Sequence, residues 1–575
     1  MIVGIDLGTT NSLISVWENG KPRLLPNSLG ETLTPSCVSV DEDGTILVGR
    51  AARERLQTHP HCSTAAFKRH MGSDKLITLG KRAFRAEELS ALVLRALKDD
   101  AEAALGQPVT ACIITVPAYF SDAQRKATRA AGQLAGMKVD RLLNEPTAAA
   151  LAYGIHLRDS ENRFLVFDLG GGTFDVSVLD LFDNVMEVQA SSGDNYLGGE
   201  DFTACLAQRF LTHCAVPERL TKDARFLQRL NAQVELAKRS LGEHQCAAIR
   251  LAEGPLAFSM DIAEGEFEQL CKTLLQRLRE PVERALRDVN LDVSELDNIV
   301  LAGGATRMPI VQRMVARMFG RAPACELNPD EVVALGAAVQ AGLRANDVAL
   351  DEVVMTDVAP YSLGVKTSVQ LDATAFSHGH FDPVIERNTI VPTSRVKRYY
   401  PMLEDQTKLD IVVYQGEARM AEDNIELGLL HLDLPDTDLT DKGVDVRFTY
   451  DVNGLLQVEA TVLCTGLTQV LLIQGNPGLL SDEEIAQRLA SLSQLKIHPR
   501  ERIEFRTLSA RAERMYQELR GEARDQLGDH IMQFERALES QDSRVFRQAA
   551  KAFLVLLDEI EATARMLPLA AGENA

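Results

Sequence analysis

The chain has 575 residues, of which 45% are hydrophobic and 25% charged, and its formal net charge is −21. This length is enough for about four domain-sized units, and the apolar content is ordinary for folded protein. The acidic balance argues against general electrostatic binding to nucleic acid or to an anionic membrane surface, so we expect neither partner.

Cysteine usage and the apolar runs indicate the compartment. The nine cysteines are scattered and include no Cys-x-x-Cys pair, which favours a reducing compartment without disulfides or a structural zinc site. No apolar run approaches the roughly 18 residues that a membrane helix needs. No cationic leader precedes an apolar core at the N-terminus. We therefore expect a cytoplasmic protein without a membrane span.

The first predicted element is a β-hairpin at residues 4–11, GIDLGTTN, which an apolar run at 12–17 continues. Asp6 lies at the base of the turn, and Gly8 and Thr9 belong to it. Glycine lets the backbone approach a ligand closely, and successive N–H groups at such a turn form a nest for an anion. A carboxylate at its base suits a hydrated Mg²⁺ beside a phosphate.

The next elements are a strand and two helices. The apolar run at 109–117 predicts a buried strand, and Ser121 with Gln124 has the spacing of a capping box, which predicts a helix start. Glu145 and Pro146 open an alanine-rich helix, in which proline is tolerated in the first turn.

A second hairpin, at residues 167–175, repeats the composition and context of the first. Its sequence is FDLGGGTFD, with Asp168 before the glycine turn and an apolar run at 176–179 after it. One such turn alone could be an ordinary hairpin. A matched pair predicts two α/β lobes that clamp one nucleoside triphosphate from both sides.

Two further segments precede residue 345. The segment 261–289 predicts a helix that Pro281 kinks or divides. Residues 300–309, VLAGGATRMP, predict a strand, a double-glycine turn and a helix start, and Arg307 suits a contact with adenine or ribose. Neither a GxxxxGK[ST] phosphate loop nor a GxGxxG dinucleotide fingerprint is present, which disfavours P-loop and Rossmann folds.

The sequence pattern changes after the α/β part, which we assign to residues 1–345. Residues 346–358 are short, acidic and free of glycine, which predicts a linker. Residues 359–480 alternate apolar and polar side chains as strands do. Helical periodicity covers 481–568, and 569–575 is expected to be a frayed tail.

Five motifs together resemble the 70-kilodalton heat-shock chaperones of the DnaK type, in the family's order and over essentially the full length. They are the two hairpins, residues 116–120 (VPAYF), residues 144–150 (NEPTAAA) and residues 303–309 (GGATRMP). The resemblance implies a multidomain fold: an actin-like α/β ATPase of two duplicated lobes, then a β-sandwich peptide-binding domain and an α-helical lid. The chain is most similar to the specialised bacterial HscC branch.

The resemblance also implies roles for residues around ATP. Lys68 matches the lysine that orients the attacking water and stabilises the γ-phosphate, and Glu145 and Thr173 match groups that complete that site. Mg²⁺, through its water shell, and K⁺ would be positioned by Asp6, Asp168 and Asp175. The implied catalytic residues are Lys68, Glu145, Thr173 and Asp168. The implied nucleotide-binding residues are Gly8, Thr9, Thr10, Asn11, Gly170, Gly171, Gly172, Thr173, Glu235, Lys238, Arg239, Gly303, Gly304, Arg307 and Asp330.

Two more sets of residues carry over from the family. The coupling set, which includes the surface that receives a J-domain co-chaperone, is Pro117, Arg125, Arg141, Asn144 and Asp357. The peptide-binding set is Val365, Ser368, Tyr399, Met402, Leu409 and Ile411. The expected ligand is an extended apolar segment of an unfolded or specific client protein, bound by main-chain hydrogen bonds and one buried side chain. The implied role is in protein folding and the stress response.

The chain departs from the family pattern in several places. The linker reads VVMTD at 353–357, where the family favours leucines, so we expect weaker interdomain coupling. The first lobe lacks a segment between residues 72 and 86, and the hairpin at 246–260 is shortened, so we expect rapid ADP release without the usual exchange factor. Ser368 and Leu409 alter the shape of the peptide pocket. A monomer is expected.

Other protein classes share the nucleotide-binding fold. The main alternative is an actin-like filament-forming ATPase, and another is a sugar or acetate kinase of the same superfamily. Neither explains the β-rich and helical parts after the linker. A pseudo-ATPase that binds nucleotide without hydrolysing it is a subtler alternative, against which Lys68 and Glu145 argue.

Overall fold

A computed structural model describes residues 1–154, 162–182, 185–324, 327–345, 354–370, 376–402, 406–435, 442–451, 454–473 and 498–566. The chain separates into two compact units, Met1–Tyr361 and Ser362–Ala575. The first part of the predicted linker, the residues at 481–497 and the predicted tail lie outside the described residues. The boundaries predicted at residues 345, 358, 480 and 568 remain untested.

The first unit begins with an α/β lobe. Its strands are β1 (Ile2–Asp6), β2 (Asn11–Glu18), β3 (Lys21–Leu25), β4 (Thr34–Pro35), β5 (Cys37–Val40), β6 (Ile46–Val48), β7 (Ser63–Ala65), β8 (Ile77–Leu79), β9 (Arg82–Phe84), β10 (Ala111–Val116) and β11 (Lys138–Asn144). Its helices are α1 (Arg50–Thr58), α2 (Ala86–Leu105), α3 (Asp122–Leu134) and α4 (Glu145–Gly154), with a 3₁₀ helix at Phe67–His70. The main sheet has the order β11-β10-β1-β2-β3, in which β1 pairs antiparallel with β2 and parallel with β10.

The second lobe of this unit repeats that arrangement. Its strands are β12 (Asn162–Leu169), β13 (Phe174–Phe182), β14 (Val185–Asp194), β15 (Cys246–Glu253), β16 (Leu256–Ala263), β17 (Asn298–Ala302) and β18 (Val354–Val358). Its helices are α5 (Gly199–His213), α6 (Glu218–Thr221), α7 (Ala224–Ser240), α8 (Glu264–Leu270), α9 (Lys272–Asp288) and α10 (Pro309–Phe319). The next helix, α11 (Val332–Arg344), packs on β1 and β2 of the first lobe. In the sheet β17-β12-β13-β14-β18, β12 pairs antiparallel with β13 and parallel with β17, as β1 does with β2 and β10.

Small side chains allow the helices between the two sheets to pack closely. Every residue of α4 is buried, including the alanines at 148–150, and α4 lies against α11. Because alanine loses little side-chain entropy in a helix and lets backbones approach, this sequence favours a helix buried on all sides. The first residue of α4, Glu145, is thereby held at the inner end of the cleft between the lobes.

The helix predicted over 261–289 is wrong at its start, and it is not divided at Pro281. Strand β16 continues to Ala263, because the alternating residues of 256–263 pair with β15. The helical part then divides at Cys271, and Pro281 lies inside α9. Pro281 is buried on the apolar side of α9, and that burial offsets the loss of one backbone hydrogen bond.

The second unit contains two four-stranded antiparallel sheets and a helical bundle. Its strands are β19 (Leu363–Gln370), β20 (Phe376–Ile385), β21 (Ile390–Val391), β22 (Thr393–Tyr399), β23 (Lys408–Gln415), β24 (Ile425–Asp433), β25 (Val444–Tyr450), β26 (Leu456–Val462) and β27 (Thr468–Ile473). The sheets have the orders β20-β19-β23-β24 and β22-β25-β26-β27. Its described helices are α12 (Ile503–Glu518), α13 (Glu522–Glu539) and α14 (Ser543–Met566).

The helical bundle has an aromatic core of its own. Phe505, Phe534, Phe546 and Phe553 are buried together, and the rings of Phe534 and Phe553 stack with centroids 4.7 Å apart. Across the described ranges of the chain, no helix is both long enough and apolar enough to cross a membrane.

Candidate functional site

The two lobes of the first unit enclose a cavity of about 600 Å³, a size typical of small-molecule sites. Most of the predicted nucleotide and metal positions line it. They are Asp6, Gly8, Thr9, Thr10, Asn11, Lys68, Glu145, Asp168, Gly170, Gly171, Thr173, Glu235, Lys238, Arg239, Gly303, Gly304, Arg307 and Asp330. Gly172 and Asp175 stand outside this lining, and Asp175 is buried directly opposite Asp168 on the neighbouring strand.

The two glycine turns meet face to face. A Cβ atom built on Gly171 would lie 2.0 Å from the Thr10 hydroxyl oxygen, so a larger residue would force the Thr10 side chain or one of the turns to shift where the second hairpin touches the first. The second turn is closed by a hydrogen bond from the Gly170 amide to the Thr173 carbonyl, at 3.0 Å. Backbone amides and hydroxyls of both lobes are therefore concentrated at one point of the cavity, as an oligophosphate requires.

A buried ion pair lies beside these turns. Lys68, in the 3₁₀ helix, places its Nζ 2.7 Å from Oε1 of Glu145, the first residue of α4. The two side chains are 4% and 10% exposed. The Lys68 ammonium also lies 5.5 Å from the centroid of the Phe120 ring. Since both elements are packed into the core, the ammonium is held in one place at the cavity wall.

Three aspartates surround this pair. Burial, reinforced by the charge of Glu145, raises the pKa of Asp6 and of Asp175 to about 7 from an ordinary value of 3.8. The same causes raise the pKa of Asp168 well above that value. Oδ1 of Asp6 accepts a hydrogen bond from the Thr115 hydroxyl at 3.0 Å, and Oδ1 of Asp175 accepts one from the Tyr119 amide at 3.0 Å.

This arrangement fits a bound cation. The carboxylates of Glu145, Asp168 and Asp175 are buried around one ammonium group, and the half-buried carboxylate of Asp6 lies beside them. Oδ2 of Asp168 is buried without a hydrogen-bond partner in the described structure. Buried carboxylates without enough partners are costly, and Mg²⁺ prefers such oxygen donors. Among the described residues, no three His, Cys, Asp or Glu side chains are close enough together to hold a metal ion. A hydrated Mg²⁺ matches this spacing.

The far wall of the cavity is formed by α7 and by the turn after β17. Glu235 pairs with Lys238 at 2.6 Å and with Arg239 at 2.8 Å. Lys238 is itself buried and donates to the Gly199 carbonyl at 2.9 Å. Arg307 donates to Asp330 at 2.8 Å, which fixes the plane of its guanidinium group at the cavity edge. A flat cationic group of this kind stacks well on an aromatic base.

The comparison with family models agrees with this site. The model described as Hsp70 protein matches residues 2–570. The chain belongs to the Hsp70 family. Proteins of this family are ATPases that bind nucleotide with Mg²⁺, client polypeptides and J-domain co-chaperones, and the family indicates an ATP-dependent chaperone here. The predicted family is thus confirmed, whereas the HscC branch and the role of each site residue stay predictions.

Three of the predicted coupling residues of this Hsp70 chain form one hydrogen-bonded path. Arg125 donates to the Ala118 carbonyl at 3.0 Å and to Oδ1 of Asn144 at 2.7 Å. Nδ2 of Asn144 in turn donates to both carboxylate oxygens of Asp357, at 3.0 and 2.9 Å. Pro117 lies at the start of the same loop, where its carbonyl accepts from the Phe120 amide. The path therefore runs from the loop after β10 to β18.

Arg141 lies apart from that path. It is on β11, and its Nη1 donates to Oε1 of Gln340 on α11 at 3.1 Å. This contact holds the guanidinium against α11, and the assignment of Arg141 to a co-chaperone surface stays a prediction.

The predicted peptide-binding residues lie in the second unit. Val365 on β19 and Ile411 on β23 are buried, at 3% and 5% exposure, whereas Met402 is 42% exposed. The Ser368 hydroxyl lies 2.9 Å from Nδ1 of His378. Leu409 is half-buried on β23, and the half-buried Tyr399 donates its hydroxyl to Asp382 at 2.7 Å. The set therefore combines apolar and polar groups on the neighbouring strands β19 and β23 of one sheet and on β22 of the other.

Several residues of the nucleotide site were not identified from the sequence. Thr115 supports Asp6, and Arg69 forms an ion pair with Asp201 across the cleft. The amide of Tyr119 supports Asp175. A threonine inside the apolar run of β10 was a usable signal, because a buried hydroxyl needs a partner. The other two contacts join residues that are remote in sequence and have no local signature.

Proposed function

We propose that this Hsp70 protein hydrolyses ATP to ADP in the cavity between the lobes, and that the cycle controls capture and release of extended apolar segments of client proteins. The observation that carries the proposal is the buried pair of Lys68 and Glu145 beside the two facing glycine turns. Phosphoryl transfer needs positioning and charge stabilisation more than covalent chemistry, and this pair supplies a fixed cation at the phosphate end.

Each group at the phosphate end has a role in this proposal. The Lys68 ammonium stabilises the charge that develops on the γ-phosphate and orients the attacking water. Glu145 holds that ammonium at 2.7 Å and accepts a hydrogen bond from the same water. Thr173 donates from the second glycine turn, beside the carboxylate of Asp168. These assignments follow from the family resemblance and from the grouping of the four side chains along one cavity.

The acidic side of the cavity suits the cofactors. Asp6, Asp168 and Asp175 would hold Mg²⁺ through its water shell and would help to position K⁺. When bound, Mg²⁺ neutralises charge on the phosphate oxygens. On the opposite wall, Glu235 and Arg307 suit the ribose and the adenine. The polar groups of the site thus match the charge distribution of ATP from one end to the other.

The partners follow from the same reasoning. We propose that a J-domain co-chaperone binds near Arg141, Asn144 and Asp357, where β18 reaches the first unit's sheet. The short hairpin of β15 and β16 supports exchange of ADP without the usual exchange factor. We further propose a monomeric cytoplasmic protein of the HscC branch with a role in the stress response. Nothing in the family match supports the alternative of an actin-like filament.

The decisive experiment is single-turnover hydrolysis of ATP by the full chain, with and without an extended apolar peptide. The variants are Lys68→Ala and, as a matched control from the same segment, Lys75→Ala, whose side chain is exposed. We expect Lys68→Ala to slow hydrolysis by roughly 10²- to 10³-fold, the usual cost of losing one group that stabilises a transition state. Peptide should accelerate the wild type and the Lys75→Ala control.

Other outcomes would change the proposal. Hydrolysis by Lys68→Ala at the wild-type rate would refute the catalytic assignment. Lysine-dependent hydrolysis that peptide does not affect would retain the ATPase and assign the β-sheet unit to another ligand.

A further inference from the structure

The segment after β18 ends at Tyr361, the last residue of the first unit. Asp357, at the end of β18, is buried and bound by Asn144. The next residues, Val358 and Ala359, are 3% and 0% exposed. The backbone that leads to Tyr361 is therefore anchored, and the position of the Tyr361 ring follows the position of β18.

Tyr361 contacts the loop after β10 through its ring and its hydroxyl. Its ring centroid lies 4.4 Å from that of Tyr119, with 43° between the ring planes. Its hydroxyl donates to the Tyr119 backbone carbonyl at 2.8 Å, and Nδ2 of Asn195 donates to the same carbonyl at 2.7 Å. Burial raises the pKa of Tyr361 well above its ordinary value, so the hydroxyl keeps its proton and remains a donor.

The other side of Tyr119 faces the metal end of the cavity. Its amide N–H donates to Oδ1 of Asp175 at 3.0 Å. The carbonyl and the amide of Tyr119 are thus both engaged, by Tyr361 on one side and by Asp175 on the other. Because two engaged peptide groups leave a residue little freedom in φ and ψ, the hydroxyl of Tyr361 helps to hold the amide that orients the Asp175 carboxylate.

We propose that Tyr361 is a positioning residue for the nucleotide-bound metal: it fixes Tyr119, and through Tyr119 the carboxylate of Asp175, only while β18 is docked on β14. This inference rests on the proposed ATPase function and adds a second path to the one through Arg125 and Asn144. It makes the metal end of the site responsive to the segment that leads into the second unit. Tyr361 itself lies outside the lining of the nucleotide cavity.

The test compares Tyr361→Phe with the wild-type full chain, because phenylalanine keeps the ring contact and removes only the donor. The first readout is amide hydrogen exchange of Tyr119 in the nucleotide-free protein, which does not depend on activity. The second is the Mg²⁺ concentration that gives half-maximal single-turnover hydrolysis. We expect both the exchange rate and that concentration to rise roughly two- to tenfold, the effect of losing one hydrogen bond. The rate at saturating Mg²⁺ should stay near the wild-type value.

Tyr196→Phe is the matched control, because that side chain is 64% exposed, and both readouts should be unchanged. Unchanged Tyr119 exchange in Tyr361→Phe would overturn the inference. Faster exchange with wild-type Mg²⁺ dependence would overturn it too, because the contact would then not reach the metal end. Should the wild type not hydrolyse ATP, the proposed function fails, and the Mg²⁺ readout becomes the affinity of the ADP complex for Mg²⁺ measured by calorimetry.

Discussion

Asn144 and Asp357 are 213 residues apart in the sequence, yet Nδ2 of the first donates to both carboxylate oxygens of the second. Both side chains are buried, at 4% and 8% exposure. Asp357 therefore has a partner that satisfies both of its oxygens. Asn144 in turn accepts a hydrogen bond from Arg125. This pair is a buried polar anchor of β18 on the rest of the first unit, beside the backbone pairing of β18 with β14.

Replacing Asp357 with Ala should release β18. The change removes both acceptors and leaves the Asn144 amide buried without them, at a cost of about 1–3 kcal/mol. We expect limited proteolysis to cut within 354–358 several-fold faster and peptide to lose its effect on hydrolysis. The control is Glu280→Ala, which removes an exposed acid of α9. Wild-type protection of the segment in Asp357→Ala would contradict the anchoring role.

Replacing Gly171 with Ala should abolish tight nucleotide binding. The new Cβ would lie 2.0 Å from the Thr10 hydroxyl oxygen, so the Thr10 side chain must leave its position or the two glycine turns must separate. Displacement of such a loop by about 1 Å costs roughly 100-fold in binding or rate. A fluorescent ATP analogue measures the affinity, and circular dichroism checks the fold.

Gly265→Ala is the matched control for that change. Gly265 lies in α8, and a Cβ atom added there would have no other atom within 4 Å, while alanine favours a helix. We expect this variant to bind nucleotide as the wild type does. Equal affinity of the Gly171→Ala variant would mean that the turns do not form the phosphate site.

The raised pKa values of Asp6 and Asp175 predict how stability depends on pH. Burial raises the pKa of each carboxyl to about 7 in the folded protein, against 3.8 for an ordinary aspartate. Between about pH 4 and pH 7 the folded metal-free protein therefore binds more protons than the unfolded chain. Its stability is greatest at the acid end of that window and falls as the pH rises through about 7.

Mg²⁺ and ADP should counteract that loss, because bound cations favour the ionised carboxylates. The difference in Tm between protein with MgADP and protein with a chelator should widen by several degrees from pH 6 to pH 8. Thermal unfolding across that range measures the effect. In Asp6→Asn the Tm difference should change less between pH 6 and pH 8, since the amide does not titrate. A difference in Tm that is constant with pH would contradict the prediction.

Local patterns explain what could be predicted from the sequence. The two glycine turns and the acids at their bases are contiguous motifs, so their strand–turn–strand form follows from residue order, and the family match supports the overall class. The sequence did not predict that the helix divides at Cys271 instead of Pro281, because burial of α9 against the core keeps Pro281 inside the helix, and helix propensity does not describe burial. The contacts of Thr115 with Asp6 and of Arg69 with Asp201 depended on how distant elements pack.

The pair of Arg69 and Asp201 leads to the last prediction. Arg69 is in the 3₁₀ helix of the first lobe, and Asp201 is in the first turn of α5 in the second. Two hydrogen bonds join them, and the side chains are 20% and 25% exposed. Since the lobes must separate to release a nucleotide held between them, breaking this pair should accelerate release.

We expect Arg69→Glu to release a fluorescent ADP analogue roughly tenfold faster in a stopped-flow experiment, given a partly buried charge pair. The double variant Arg69→Glu with Asp201→Arg should recover part of the slow release, because the swapped charges can pair again. Arg23→Glu, which breaks a partly exposed arginine–glutamate pair within one lobe, is the control. The single variant Asp201→Arg completes the comparison. If the effects of Arg69→Glu and Asp201→Arg on the release rate simply add in the double variant, the pair does not hold the lobes together, and release is limited elsewhere in the cleft.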